Sequence, residues 1–232
     1  MFDTVWPSGD GSTQIQANLL RAQIHAGGYA SAAYRDGQAV GGAFAFVGRH
    51  QADGWHTHLH SHMAAVLAPY RDQHIGAALK MHQRVWALDH DIDTIVWTFD
   101  PLVRRNAVLN LMKLGVDVEG FEVDFYGAMD DGINAGDPTD RLFAWWRLES
   151  SRARTALRGE LVRIDLDAAR AGGRDVLEVA LPDDIVSLRA ADPAAAAQWR
   201  VTVRDSLTRA LVDGYAIVGV STTGGYVLER NR

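Results

Sequence analysis

Four histidines alternate with other residues in the stretch WHTHLHSHMAAV, residues 55–66. Side chains two apart on a strand share a face and stand about 6.6 Å from one another. The spacing therefore puts His56, His58, His60 and His62 in one row, with Trp55, Thr57, Leu59 and Ser61 facing the other way. A row of imidazoles can ligate a metal, but neighbours at that spacing need a third ligand from elsewhere to complete the tight tetrahedral set that zinc prefers. No HExxH or comparable second motif is present, so no metal site is expected. The row can also move protons, because imidazole titrates near neutrality. A third reading keeps all four as ordinary strand histidines, hydrogen-bonded or turned to solvent.

The second stretch that can do chemistry is VLAPYRDQHIGAALK, residues 66–80. A strand ends near Ala68, a turn follows, and a helix opens at the glycine. Gln73, His74, Ile75, Gly76, Ala77 and Ala78 then aim several backbone N–H groups at one spot, at the positive end of a helix dipole. That is a site for a pyrophosphate. Gly76 permits close backbone approach, and Ala78 keeps the first turn narrow.

The elements that must position these residues can be read from periodicity and punctuation. TQIQANLLRAQIHAGG has helical spacing and a Gly stop. YASAAYRDGQAVGGAFAFVG reads as two strands around the turn RDGQ. The helix in QHIGAALKMHQRVWALDHD is expected to bury Ile75, Leu79, His82, Val85 and Trp86. TIVWTFD is a buried strand. RRNAVLNLMKLG is a helix capped by Gly115. VDVEGFEVDFYGAM and DRLFAWWRL are strands flanking the polar loop DDGINAGDPT. Residues 149–160, ESSRARTALRGE, read as a linker. LVRIDL and VLEVALP then look like strands, residues 183–214 a helix broken at Pro193, and YAIVGVST with GGYVLER a terminal hairpin.

The chain has 232 residues, 47% of them hydrophobic, which is enough for one large domain or for one domain with a smaller companion. It has no cysteine, which excludes disulfides and thiolate chemistry. It has no apolar run of membrane-spanning length, and its polar, acidic start does not read as a leader. The expectation is a cytoplasmic protein with no membrane partner. A net charge of −6 argues against a nucleic-acid binder. Residues 117–140 carry eight acidic residues and no basic one. This is either a solvated acidic loop or a field that draws in a cationic substrate.

Together these residues resemble the GNAT superfamily, the acyl-CoA-dependent N-acyltransferases. Gln73, Gly76 and Ala78 match that family's Gln/Arg-x-x-Gly-x-Gly/Ala signature, and Val66, Pro69, Tyr70 and Arg71 resemble the run before it. Asn106, Ala107, Lys113 and Gly115 resemble its later helix. LHSHMAAV, WTFDPLVRRNAVLNLMKLG and DPTDRL look like an uncharacterised bacterial subgroup. The resemblance covers residues 1–150. It implies an α/β fold with a mixed sheet, followed by a small C-terminal α+β extension over 160–232.

The resemblance also implies a reaction: an acetyl or other short acyl group passes from acetyl-CoA, or another acyl-CoA, to the amine of a small molecule by direct attack in a ternary complex. Backbone amides of Val66, Leu67 and Ala68 would take the pantetheine arm, and residues Arg71 and Gln73 to Ala78 the pyrophosphate. Asn106 either contacts the CoA arm or caps its helix. The histidine strand would face the acceptor, which makes His60 and His62 the candidates for general base. The family's thiolate-protonating Tyr is replaced by Leu111, and Tyr126 is the candidate substitute. The family's first strand also has no counterpart before the first helix. A second reading is therefore a non-catalytic CoA-binding or protein-interaction module. The C-terminal extension would cover an open sheet edge, within one chain or across a homodimer.

Overall fold

The computed structural model describes residues 1–51, 53–127 and 137–230. These residues group into two compact units, one of residues 1–97, the other of 98–127 and 137–230.

The first unit opens with the short helix α1 (Phe2–Val5) and continues into α2 (Ala17–His25). Among the described residues no strand precedes α2. A hairpin of β1 (Tyr29–Arg35) and β2 (Gln38–Gln51) follows, turning at Asp36 and Gly37. Both turn residues have positive φ, 50° and 77°, as the tight mirror-image hairpin turn requires. Next come β3 (Trp55–Val66), α3 (Ile75–Leu88) and β4 (Thr94–Phe99), whose last two residues enter the second unit. β1, β2 and β3 pair antiparallel, and β4 joins β3 in parallel, so the sheet is mixed. On β3, Leu59, Ser61, Met63 and Ala65 are buried while His62 and Ala64 are exposed, the alternation of a strand covered on one face.

Helix α3 corrects the face read from the sequence. It buries Leu79, Lys80, Gln83 and Ala87, and leaves His82 and Val85 exposed. A hydrophobicity pattern assigns a lysine and a glutamine to solvent. Here Lys80 donates to Gln83 and to Ser61 of the sheet below, so the polar pair can be inside.

The second unit holds α4 (Arg104–Ala107), which runs on into seven residues of the wider π-helix, Val108–Leu114, where an ordinary helix was expected. Gly115 ends it with φ 70°. A Cβ at Gly115 would lie 2.7 Å from the Arg152 carbonyl, so glycine is demanded both by backbone sign and by close approach. β5 (Asp117–Glu122) pairs antiparallel with β6 (Arg141–Arg147). The expected linker is instead partly helical: α5 (Ser151–Leu157) is capped by the Ser150 side chain and buries Ala153 and Ala156. LVRIDL forms no strand; it makes one bridge, at Ile164, and leads into α6 (Leu166–Ala171). β7 (Val176–Val179), α7 (Ile185–Ala191), α8 (Pro193–Val212), β8 (Tyr215–Val220) and β9 (Tyr226–Arg230) complete the chain, with a second sheet in the order β7-β9-β8. Asp192 caps α8 and Pro193 occupies its first turn, so the proline starts a helix there.

Candidate functional site

The β3–β4 ladder is short. Leu59 pairs with Ile95 and His60 with Val96, and the register ends there although β3 runs on to Val66. Past His60 the two parallel strands are split. One residue beyond the last pair, Ser61 on β3 and Trp97 on β4 are joined by a side chain from α3. The Lys80 Nζ donates to Ser61 Oγ at 2.8 Å and to Gln83 Oε1 at 3.3 Å, and lies 3.8 Å from the centre of the Trp97 ring. Lys80, Ser61, Gln83 and Trp97 are all buried. Burial pushes the Lys80 ammonium down to about 7. Nothing in the sequence singled out Lys80. Its signal is three-dimensional: a lysine whose neighbours one helical turn along and across the sheet are both hydrogen-bonding groups.

The histidine row forms on the face the period predicts, and extends further than read. His60 stacks on Phe46 with ring centres 4.9 Å apart, and His62 lies 6.1 Å from His60. At the other end, His58 Nδ1 is 3.2 Å from Nδ1 of His50 on β2, and His56 Nε2 is 3.0 Å from Asp53 Oδ1. Burial is the main cause that lowers His58, His60 and His62 alike. For His60, burial is followed by the neighbouring His62, His58 and Lys80, and the imidazolium is pushed down to about 4. His60 is therefore neutral near pH 7 but a weak base, and His62, exposed on β3 and lowered only by partial desolvation of its ring, is the better matched of the two candidates. Among the described residues no group of three or more His, Asp or Glu side chains is arranged to hold a metal.

The loop after β3 holds most of the residues expected to bind CoA. Leu67 N–H donates to the Val40 carbonyl at 2.9 Å, so of the three amides expected to meet the pantetheine arm this one is already engaged. Residues 68–70 form a single 3₁₀ turn, and Arg71 Nε reaches the Val66 carbonyl at 3.3 Å. The Gln73 side chain braces the loop, accepting from Arg35 Nη1 at 2.9 Å and donating to the Pro69 carbonyl at 3.2 Å. Asp72 and His74 both have φ near 60°. His74 is the N-cap of α3 and its side chain makes no capping bond, which leaves the first-turn amides of Ile75, Gly76 and Ala77 without a side-chain cap. A Cβ at Gly76 would meet only Val66 Cγ2, at 3.9 Å. The fold therefore does not require glycine there, and the space beside those amides is open for an anionic group to approach.

In the second unit, Tyr126 Oη shares a 2.9 Å hydrogen bond with Thr98 Oγ1, and the Arg141 guanidinium lies 5.4 Å from the Tyr126 ring centre. Leu111, at the place of the usual Tyr, is fully buried and offers no proton. Asn106 sits on α4, its backbone N–H bonded to the Val103 carbonyl. Arg104 is committed to Asp183 and the Leu181 carbonyl.

Most of the acidic stretch is ion-paired or hydrogen-bonded from within. Asp117 and Glu119 pair with Arg147, Asp124 accepts from Thr139, and Asp140 is held by Arg204 at 2.8 Å. Asp137 and Asp100 share Arg189 and Arg200. Burial by itself raises the Asp100 carboxyl, but Arg200 and Arg189 outweigh it and hold it below the usual range. Of the remaining acids, Glu122 is on β5, while Asp130 and Asp131 lie outside the described residues. Arg141, next in sequence, donates to the Asp140 carbonyl, while the Asp140 carboxylate goes to Arg204.

No protein-family model matches the chain, and no curated protein matches it. Several solved structures do. Arabidopsis thaliana Naa50, in complex with the bisubstrate analogue CoA-Ac-MVNAL, shares 19% identity over 62% of this chain and 86% of its own, with a TM-score of 0.46. A GNAT family acetyltransferase from Elizabethkingia anophelis with acetyl-CoA bound shares 15% over 57% and 84%, TM-score 0.45. Ribosomal-protein-alanine N-acetyltransferase from Brucella melitensis shares 20% over 57% and 79%, TM-score 0.46. Likeness at this level is a matter of fold and carries nothing about activity. The element order, from α2 through the mixed sheet to β6, gives the chain a GNAT-like α/β fold with a separate three-stranded C-terminal sheet.

Proposed function

We propose that the protein is an acyl-CoA-dependent acyltransferase that acetylates, or acylates with another short chain, the amine of a small molecule. On this reading residues 1–150 are the acyltransferase domain and 160–232 an extension. The observation that carries it is the start of α3: uncapped amides at Ile75, Gly76 and Ala77, beside a glycine the fold does not need, in the loop after β3, the strand that parts from β4 beyond His60. Dipole and amides together favour a pyrophosphate.

The residues take these parts. The α3 amides hold the pyrophosphate, with Arg71 and His74 on the exposed side of the loop. Amides of Val66 and Ala68 take the pantetheine arm. His62 receives the proton that the acceptor amine must lose, directly or through water, with His60 as its neutral neighbour. Tyr126 is the proton donor proposed for the departing thiolate. With most of the acidic stretch paired internally, a cationic acceptor rests, among the described acids, on Glu122 and on Asp124, whose carboxylate accepts from Thr139 and forms no ion pair among the described residues. Glu122→Lys raises the acceptor's KM if the charge steers, and leaves it unchanged if it does not.

The test is calorimetric titration with acetyl-CoA, with Gly76→Glu as control, followed by thiol release across a panel of primary amines. Binding by the wild type and none by the control supports the site. Binding without thiol release above background favours the second reading, a CoA-binding module, which Leu111 at the acid's usual place motivates.

A further inference from the structure

We infer that Lys80 is a positioning residue for the transfer step, fixing the split between β3 and β4 by holding Ser61 and Trp97 apart at the first position beyond their ladder. The inference rests on the acyltransferase reading of the same site and goes beyond it. Three observations place the amine there. The ladder ends at His60 and Val96, and Ser61 and Trp97 are the next residues on each strand. Lys80 Nζ is 2.8 Å from Ser61 Oγ and 3.8 Å from the Trp97 ring centre, so one group contacts both strands where main-chain pairing stops. Gln83, fully buried, turns Oε1 to the same amine at 3.3 Å, while its Nε2 has no partner among the described residues.

An apolar side chain of the same length would fill this space without the cost of desolvating an amine. Packing alone therefore does not account for a lysine at this place. What a lysine adds is direction: a hydrogen bond fixes the rotamer of Ser61, and with it the β3 backbone at the start of segment 61–66, which pairs with β2 but no longer with β4. In the acyltransferase reading that backbone must present its amides to an oxyanion, and such donors act only when held in place. A misplacement near 1 Å costs on the order of a hundredfold in rate. Lys80 touches no reacting atom in this account; it acts through Ser61.

The test compares Lys80→Met, Ser61→Ala, Ser61→Thr and the double variant K80M/S61A in full-length protein. The readouts are acetyl-CoA affinity by calorimetry, and kcat with acetyl-CoA and the best acceptor of the amine panel. The expected result is a fall in kcat of at least tenfold in K80M and in S61A, with acetyl-CoA Kd within threefold of wild type. S61T, which keeps the hydroxyl, restores most of the rate, and the double variant is no worse than the poorer single, because the two act as one unit. Wild-type turnover with K80M and S61A unimpaired overturns the inference and leaves the acyltransferase reading standing. So does a parallel loss of kcat, Kd and thermal stability, which marks the contact as merely structural. No turnover by the wild type with any amine removes the acyltransferase reading, and this inference with it.

Discussion

Replacing Lys80 by Met tests how completely the amine is cut off from water. In the fold the ammonium loses its proton near 7, while in the unfolded chain it keeps it to about 10.5. Between those two values the unfolded state binds the extra proton, so stability rises with pH across that window and the depressed pKa costs most at and below pH 7. The linkage relation gives the wild type about 2 kcal/mol of added stability between pH 7 and pH 9 from this one group. For a chain of this size that is a Tm rise of about 4–8 °C. K80M has no proton to lose, so its Tm should lack that component. The comparison must be the change with pH, not the absolute Tm, because Met also leaves Ser61 Oγ and Gln83 Oε1 without their donor. His60, which feels Lys80 electrostatically, titrates near 4 and stays outside the window. The assay is thermal unfolding at pH 6, 7, 8 and 9 in one buffer series. Parallel Tm–pH lines for wild type and K80M would mean that Lys80 is hydrated, and the account of a desiccated pin would fall.

Three further outcomes are expected. Gly76→Ala should stabilise the ligand-free protein by about 0.4–1 kcal/mol, since Gly76 lies in the first turn of α3 with room for a Cβ and alanine narrows the unfolded ensemble, and should weaken acetyl-CoA binding; unchanged affinity by calorimetry would remove Gly76 from the binding surface. Arg200→Met should cost about 3–5 kcal/mol in chemical denaturation, because it leaves Arg189 as the remaining ion-pair partner of Asp100 and Asp137 among the described residues; a loss below about 1 kcal/mol would show that the network is solvated. His60→Gln should flatten the acid limb of the stability curve. His60 is neutral in the fold down to about 4 but protonates near 6.5 when unfolded, so the wild type loses stability as pH falls through that range; identical acid limbs by circular dichroism would refute its burial.

The histidine row and the helix opening at Gly76 were legible because each is local. A period of two fixes a strand face whatever surrounds it, and a glycine–alanine helix start after a strand is a feature of contiguous residues. The Asp36–Gly37 hairpin and the Gly115 cap were legible for the same reason: each needs a positive φ that few residues adopt. The linker reading of 149–160 failed where a Ser cap and two small buried alanines outweighed a polar, arginine-rich composition. LVRIDL failed because it has strand composition but only one bridging partner, at Ser221.

Residue type and spacing alone determined that this chain has a histidine-lined strand, an anion-ready helix start and a leucine where an acid was expected. Tertiary structure decided which charges remain free. Asp100 meets Arg200 a hundred residues away, and Asp140 meets Arg204. A stretch that reads as a negative field in one dimension is thereby largely spent on internal pairs. It also decided that Lys80 lies inside. A lone lysine between apolar neighbours points to solvent by default, and only the presence of Ser61 across the sheet and Gln83 along the helix makes the interior habitable for it. Hydrogen-bond satisfaction between distant segments has no period in the sequence, and for that reason it has to be seen in the fold.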